Sequence, residues 1–516
     1  MPAMERWSTK VGFHDGDYHG TFSQHAERVL RIGDALHRQL GINPGDRFAV
    51  LATNSHEYME LMHAAYLGVG IINPLNLRLA GRELQFILAD SGTEVIFVDA
   101  FFAEHLARTI AGVRSELPLH RVVLIGDGDV PHDVRYDDLL DAGEPVVPAE
   151  PEESDPVVLM YTGGTTGVPK GVLLDQRAEA LNLYHIGMAM GFGSDRVYLH
   201  QTPMFHAASM GGLLGIPAAG GTSVSVPLFE PQRVMEAIER YRVDWTMMIP
   251  TMVAMVMNHP DFRPERLASM RDLVYGGSPM PLGLLDRLLG AFPELNIWQG
   301  YGMTESSSVL TFLTPKDHRG DPSRLGSAGQ PVIGVDLCVQ DEQGRVVGPG
   351  VDGEVCARGG NLMVEYWNRP KDTEEAFRDG WYHTGDEGHV DADGYVYLVD
   401  RIMDMIVTGG ENVYSIEVEN AISTHPAVAQ VAVIGIPHDT WGEQVHAIVV
   451  LREGASTTAE DVKDHARVSI GGYKVPKSVE FRTEPMPLSG ALKPLKRELR
   501  APYWNGAATA PMRMPT

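Results

Sequence analysis

The stretch Met160–Gly171, MYTGGTTGVPKG, places four glycines, three threonines and one lysine directly after the apolar run Val157-Val158-Leu159. Glycines that follow a strand let backbone N–H groups and hydroxyls converge on a single anion, because glycine tolerates positive φ and close approach. Phosphate is the chemistry such a loop serves, although the same composition also makes an ordinary turn. Two common nucleotide patterns are missing. A Walker-A loop needs adjacent glycine and lysine followed by Ser or Thr, whereas here Val168-Pro169 separate Gly167 from Lys170 and Gly171 comes next. The dinucleotide fingerprint GxGxxG is also absent from the loop.

The chain around this loop has 516 residues, 44% of them hydrophobic, enough to bury a large core and to form roughly two to four domains. Lys and Arg total 42 against 68 Asp and Glu, a formal charge of −26, which argues against nucleic acid or an anionic membrane surface as the main partner. An anionic ligand must therefore be held by local donors. Cys338 and Cys356 are too few for a disulfide framework, and the segment MPAMERWSTKVGFHDGD carries no apolar signal core, so the cytoplasm is the expected compartment. The most apolar run, Trp245 to Met257, is broken by Thr246, Pro250 and Thr251 and is shorter than the ~20 residues of a membrane span. It reads as buried protein, and no transmembrane segment is expected.

The elements that must position the loop follow from hydrophobic periodicity. Between Arg47 and Asp127, short β-rich runs (RFAVLAT, EVIFVD, HRVVLIGD) alternate with helix-length segments such as HEYMELMHAAYLG, the pattern of a parallel sheet with helices on both faces. Val157 to Gln299 repeats the plan, with VVLMYT, RVYLHQTP, TSVSVPLF, VDWTMMIP, RDLVYGG and LNIWQG as strands. From Gly326 to about Val399, short valine-rich pieces broken by Asp-Gly turns predict a small β-barrel or sheet. A compact α+β unit follows, with a capping box at Thr458 and Asp461. The expected architecture is α/β: a large N-terminal domain, 1–400, of two α/β subdomains and a β-barrel-like subdomain, then a small α+β C-terminal domain, 401–516.

Seven motifs occur in order: YTGGTTGVPKG, TPMFHAASM, YGGSPM, QGYGMTE, GWYHTGDEGHVDADGYVYLVDR, MIVTGGENVYSIEVE and GYKVPKSVEF. Together they resemble the adenylate-forming enzymes, which include acyl-CoA synthetases, luciferases and peptide-synthetase adenylation domains. The resemblance covers nearly the whole chain and is strongest to fatty-acyl-CoA and coumarate-like CoA ligases. It implies ATP, Mg2+ and coenzyme A as cofactors, a small-molecule carboxylic acid as substrate, a place in fatty-acid and lipid metabolism, and a C-terminal domain that swings between half-reactions. It leaves a homodimer open.

By this resemblance, Thr162, Gly164, Thr165, Thr166 and Gly167 hold phosphates and Lys170 ends the loop, either on a phosphate or as a solvated anchor of the turn. Glu305 is the metal (magnesium) carboxylate, since a hard cation bridging phosphate oxygens takes oxygen ligands, and Thr304 supports the α-phosphate. Asp386 accepts both ribose hydroxyls, with Arg401 beside it. Gly277, Ser278 and Pro279 line the adenine slot, and Tyr301, next to Gly302, stacks on the base. His206 lies beside the acyl carboxylate and later the pantetheine path. Gly409 and Gly410 face the pantetheine tunnel, which Trp441 borders. Lys493 is the catalytic lysine of adenylation.

Three positions depart from the family pattern: Gly163 where Ser is usual, Met403 at the hinge, and Leu492 in place of the glycine before Lys493. Met210, Met252, Met255, Met280 and Met303 fall in acyl-tunnel segments, where methionine serves equally as ligand contact or core filler. No Arg or Lys stands out as a clamp for a second carboxylate. The implied reaction is AMP-forming ligation of an apolar fatty, branched, alicyclic or aromatic acid to coenzyme A. The alternatives are transfer of the acyl group to a carrier protein and a catalytically weak nucleotide-binding homologue.

Overall fold

The computed structural model describes residues 2–162, 169–278, 280–401, 406–408, 411–438, 441–488 and 494–504. Four sheets organise them. The first runs Glu365–Tyr366, Lys170–Asp175, Pro156–Thr162, Ile71–Pro74, Arg47–Leu51, Val95–Asp99, Arg121–Ile125, Val134–Arg135. Its strands are parallel from Pro156–Thr162 to Val134–Arg135, and the two added beyond Pro156–Thr162 are antiparallel.

The second sheet runs Gln330–Pro331, Thr311–Leu313, Asn296–Tyr301, Asp272–Gly276, Trp245–Met248, Val197–His200, Thr222–Ser225, Val11–Asp15, Tyr18–Thr21, with a parallel centre and antiparallel margins. The repeat expected over Val157–Gln299 is therefore corrected at its first member. VVLMYT pairs with Ile71–Pro74 in the first sheet, and the second lobe instead recruits Val11–Asp15 from the start of the chain. Periodicity identifies a strand but not its partner, because register and neighbours are settled by long-range packing.

Local signals set the helix boundaries. The side chains of Ser55, Asp99 and Asp175 each accept from a backbone N–H at the start of the helix they cap, satisfying one of the orphan donors of a first turn. The capping box at Thr458 and Asp461 opens Ala459–Arg467 as expected. The run Trp245 to Met257 is a buried strand followed by the helix Pro250–Met257, and among the described residues no helix is long and apolar enough to cross a membrane.

A continuous core joins the first two lobes, with Phe48 and Val158 of the first and Phe13, Trp245 and Phe312 of the second in one apolar cluster. The third sheet, Val335–Gln340, Gly353–Gly359, Trp381–Val390 and Phe377–Arg378, carries Val396–Arg401 on Trp381–Val390 and is antiparallel throughout. The fourth is built from Glu411–Val413, Ile406–Thr408, Gly442–Leu451 and Val428–His438, with Ser478–Arg482 added in parallel to Gly442–Leu451. Helices Ser415–Ser423 and Ala459–Arg467 supply Val418, Ile422, Val462 and Ala466 to the apolar cluster of this small C-terminal domain. The fold is α/β, with a large N-terminal domain and this small C-terminal one.

Candidate active site

A cleft of about 2690 Å³ opens where the first three sheets meet the C-terminal domain. Parallel strands deliver their C-terminal ends here: Asp272–Gly276 brings Gly277 and Ser278, and Asn296–Tyr301 brings Tyr301 and the turn Gly302–Glu305. Such ends are where open α/β sheets bind ligands. From the third sheet, Trp381–Val390 brings Asp386. Thr162, Lys170, His206 and Thr304 also line the cleft.

Two buried groups meet first. The Tyr301 hydroxyl donates to Asp386 Oδ2 at 2.7 Å, and both residues are less than a tenth exposed. The carboxylate is aimed by its own turn as well: Gly385, at φ +72°, takes a left-handed conformation that favours glycine, and Asp386 N–H donates to Thr384 Oγ1 at 3.1 Å. Arg401 lies opposite Asp386 in the antiparallel register.

The turn that carries Thr304 and Glu305 is tightly held. A Cβ on Gly302 would sit 2.0 Å from Ser308 O, so no larger residue fits. Ser307 and Ser308 both have positive φ, at 54° and 112°, backbone strain that persists only where surroundings over-determine it. Those surroundings are Asn361, whose amide donates to Ser306 O and Val309 O, and its carbonyl, which accepts from Ser307 Oγ at 2.9 Å. Tyr366 donates its hydroxyl to Glu305 Oε1 at 2.9 Å. Burial, with Glu305 beside them, pushes the Tyr366 and Tyr382 phenols far above their ordinary range, so both stay neutral.

On the phosphate-loop side, Thr162 and Lys170 face each other across the Pro156–Thr162 and Lys170–Asp175 pair. Lys170 Nζ forms an ion pair with Asp372 and lies 4.9 Å from the centroid of the Tyr366 ring. Gly163, Gly164, Thr165, Thr166 and Gly167 lie outside the described residues, as do Pro279, Met403, Gly409, Gly410, Leu492 and Lys493. The segment holding Lys493 is bracketed by Leu488 and Pro494, which form a β-bridge and line the cleft. Lys496 also lines it, with Nζ on Ser415 Oγ at 2.5 Å and Glu419 Oε1 at 2.8 Å.

Other expected positions lie elsewhere or play a visible local part. His206 caps the short turn Ala207–Ser209, its Nδ1 accepting from Ala208 N–H at 3.2 Å. Trp441 is 40% exposed, stacks on His438 and lies near Lys477, away from the cleft lining. Met280 and Met303 line the cleft, whereas Met210 and Met252 are fully buried in the apolar clusters and Met255 is on the surface. The structure adds Asn361, Tyr366 and Asp372, whose segments, GGNLM and VEYWNRPKDT, contain neither a glycine-rich loop nor an obvious acid–base pair.

Residues 3–367 match the family model described as AMP-binding enzyme, and residues 417–493 match the AMP-binding enzyme C-terminal domain. The chain belongs to the AMP-binding enzyme family. It is 38% identical to a feruloyl-CoA synthase of an Amycolatopsis species over 93% of both chains. It is 34% identical to the fatty acid–[acyl-carrier-protein] ligase ScoC of Streptomyces coeruleorubidus, over 95% of this chain and 92% of that one. Among solved structures, the anthranilate CoA ligase AuaEII in complex with anthranoyl-AMP superposes with a TM-score of 0.89 at 27% identity, over 98% of this chain and 97% of that one. Six of the seven motifs contribute residues to the lining of this cleft, and GYKVPKSVEF contributes none among the described residues.

Proposed function

We infer that the protein is an AMP-forming ligase that joins an apolar carboxylic acid to coenzyme A through an acyl adenylate. The observation that carries this reading is the convergence of Asp386, aimed by Tyr301, and Glu305, aimed by Tyr366, in one cleft beside the flanks of the phosphate loop. Asp386 would accept the ribose hydroxyls, a task suited to a carboxylate with two oxygens. Gly277 and Ser278 would line the base, Tyr301 would stack on it, and Thr162, Lys170 and Thr304 would face phosphates. His206, at the cleft wall, would touch the acyl carboxylate.

Glu305 fits a hard cation: it is an oxygen donor on a rigid turn, with the Thr304 hydroxyl next in sequence and open cleft in front of it. A bound Mg2+ would neutralise charge on the phosphate oxygens. Glu305 would hold it, and the described residues orient the nucleotide around it. A domain boundary near residue 400 is supported by the step between the third sheet, ending at Arg401, and the fourth, beginning at Ile406. The two domains touch through Arg78 to Leu488 O at 2.9 Å and Tyr414 to Glu387 at 3.1 Å. The C-terminal domain would dock in more than one pose, with Lys493 serving the first half-reaction.

The likeness to ScoC favours a second reading, in which the adenylate is passed to a carrier protein. A panel of aliphatic, alicyclic and aromatic acids, scored for AMP release with coenzyme A or with acyl-carrier protein, decides between them. Coenzyme A–dependent AMP release is expected. Release only with the carrier protein would select the second reading, and failure of any acid to drive ATP–pyrophosphate exchange would overturn both.

A further inference from the structure

One short segment ties the phosphate-loop strand to the turn of Glu305. Glu365–Tyr366 pairs with Lys170–Asp175, Tyr366 lying opposite Val172, and Trp367 N–H donates to Gly171 O at 2.7 Å. Three residues before Tyr366, Met363 N–H donates to Glu305 O at 2.8 Å. The Tyr366 side chain repeats that bridge at its own tip, with its hydroxyl on Glu305 Oε1 and Lys170 Nζ near its ring. Its backbone is fixed as well, because Tyr366 N–H donates to Thr373 Oγ1 at 3.0 Å.

A carboxylate on a three-torsion side chain has a broad terminal rotation. A hydrogen bond to one oxygen from a buried donor removes that freedom and orients the other oxygen with it. The bond is to a charged acceptor in a low-dielectric wall, where it is stronger than a neutral pair. We propose that Tyr366 is the positioning residue for Glu305, its hydroxyl orienting the carboxylate toward the cation of bound Mg–ATP while its ring holds Lys170 on the phosphate side. The proposal rests on Glu305 as the magnesium ligand.

The test uses the full chain and direct binding by calorimetry of ATP with Mg2+, ATP with EDTA, and AMP. Tyr366→Phe keeps the ring near Lys170 and removes only the hydroxyl. Its affinity for ATP with Mg2+ is expected to fall about ten- to hundredfold, the scale of one hydrogen bond to a charged group, while AMP and metal-free ATP bind as in the wild type. Glu305→Gln, measured alongside, should lose the whole benefit of Mg2+. If Glu305→Gln keeps that benefit, the assignment of Glu305 fails. If Glu305→Gln loses it and Tyr366→Phe does not weaken, or weakens all three ligands equally, the positioning role is overturned. Should Tyr366→Phe not fold, Thr373→Val removes the acceptor that fixes the Tyr366 backbone. The same selective loss is expected of it, and binding of all three ligands at wild-type strength would overturn the proposal.

Discussion

Tyr301, at the end of a parallel strand of the second sheet, donates a 2.7 Å hydrogen bond to Asp386 of the third. The bond joins two sheets at the point where the ribose hydroxyls are proposed to bind. Tyr301→Phe keeps a ring for the base and removes the phenol's hydrogen bond to the carboxylate. The KM for ATP is expected to rise about tenfold, from a loss of roughly 1.5 kcal/mol, with thermal stability little changed. Initial rates over an ATP series check this, and an unchanged KM would show that Asp386 needs no partner.

Gly302 lies against Ser308 O. Gly302→Ala should force the strained turn of Ser307 and Ser308 apart, costing about 1–3 kcal/mol of stability, as overpacking does, and displacing Thr304 and Glu305. Urea unfolding and ATP–pyrophosphate exchange should both fall. Wild-type exchange in a stably folded variant would mean that the turn can move without harm.

Glu179 is buried with its Oε2 accepting from Tyr66 at 3.0 Å and Oε1 without a partner. Burial pushes its carboxyl up from an ordinary value of 4.5 to about 8. Between those values the folded state binds the proton and the unfolded state releases it, so the stabilisation is complete below 4.5 and is lost as pH rises toward 8. The slope is about 1.4 kcal/mol per pH unit. Glu179→Gln, permanently neutral, should remove this slope and gain on the wild type from pH 5.5 to pH 8, roughly the window set by the shift. Parallel slopes in urea unfolding would mean that Glu179 is charged in the folded chain.

Lys493→Ala is expected to slow adenylation by about 10²–10³, the usual effect of removing one preorganised donor, and to leave the reaction of preformed acyl adenylate with coenzyme A intact. The two half-reactions are measured separately. Near-normal adenylation would remove Lys493 from the role, and equal losses would indicate a damaged C-terminal domain.

Residue spacing made most of the architecture legible. Strands such as Arg47–Leu51 and Asp272–Gly276 and the capped helix at Thr458 stand where periodicity placed them, because those signals are local. Pairing was not legible: nothing near Pro156–Thr162 tells that its neighbours are Ile71–Pro74 and Lys170–Asp175. In the cleft, the distinctive motifs supplied several of the lining residues, among them Asp386 and Glu305. Tyr366, Asn361 and Asp372 could not be read, because they act through a hydroxyl, an amide and an ion pair brought close only by the fold.

The order in which the strands join has a consequence for how the chain is made. Val11–Asp15 is made before the other strands of the two sheets, yet its parallel partner is Thr222–Ser225, and the first sheet gains its last strand only with Glu365–Tyr366. Contacts this distant in sequence are slow to form, and each half keeps an open edge until the other is nearly complete. Nascent chains stalled between the two lobes should expose those edges and depend on chaperones, so the N-terminal domain matures as a single late event instead of lobe by lobe.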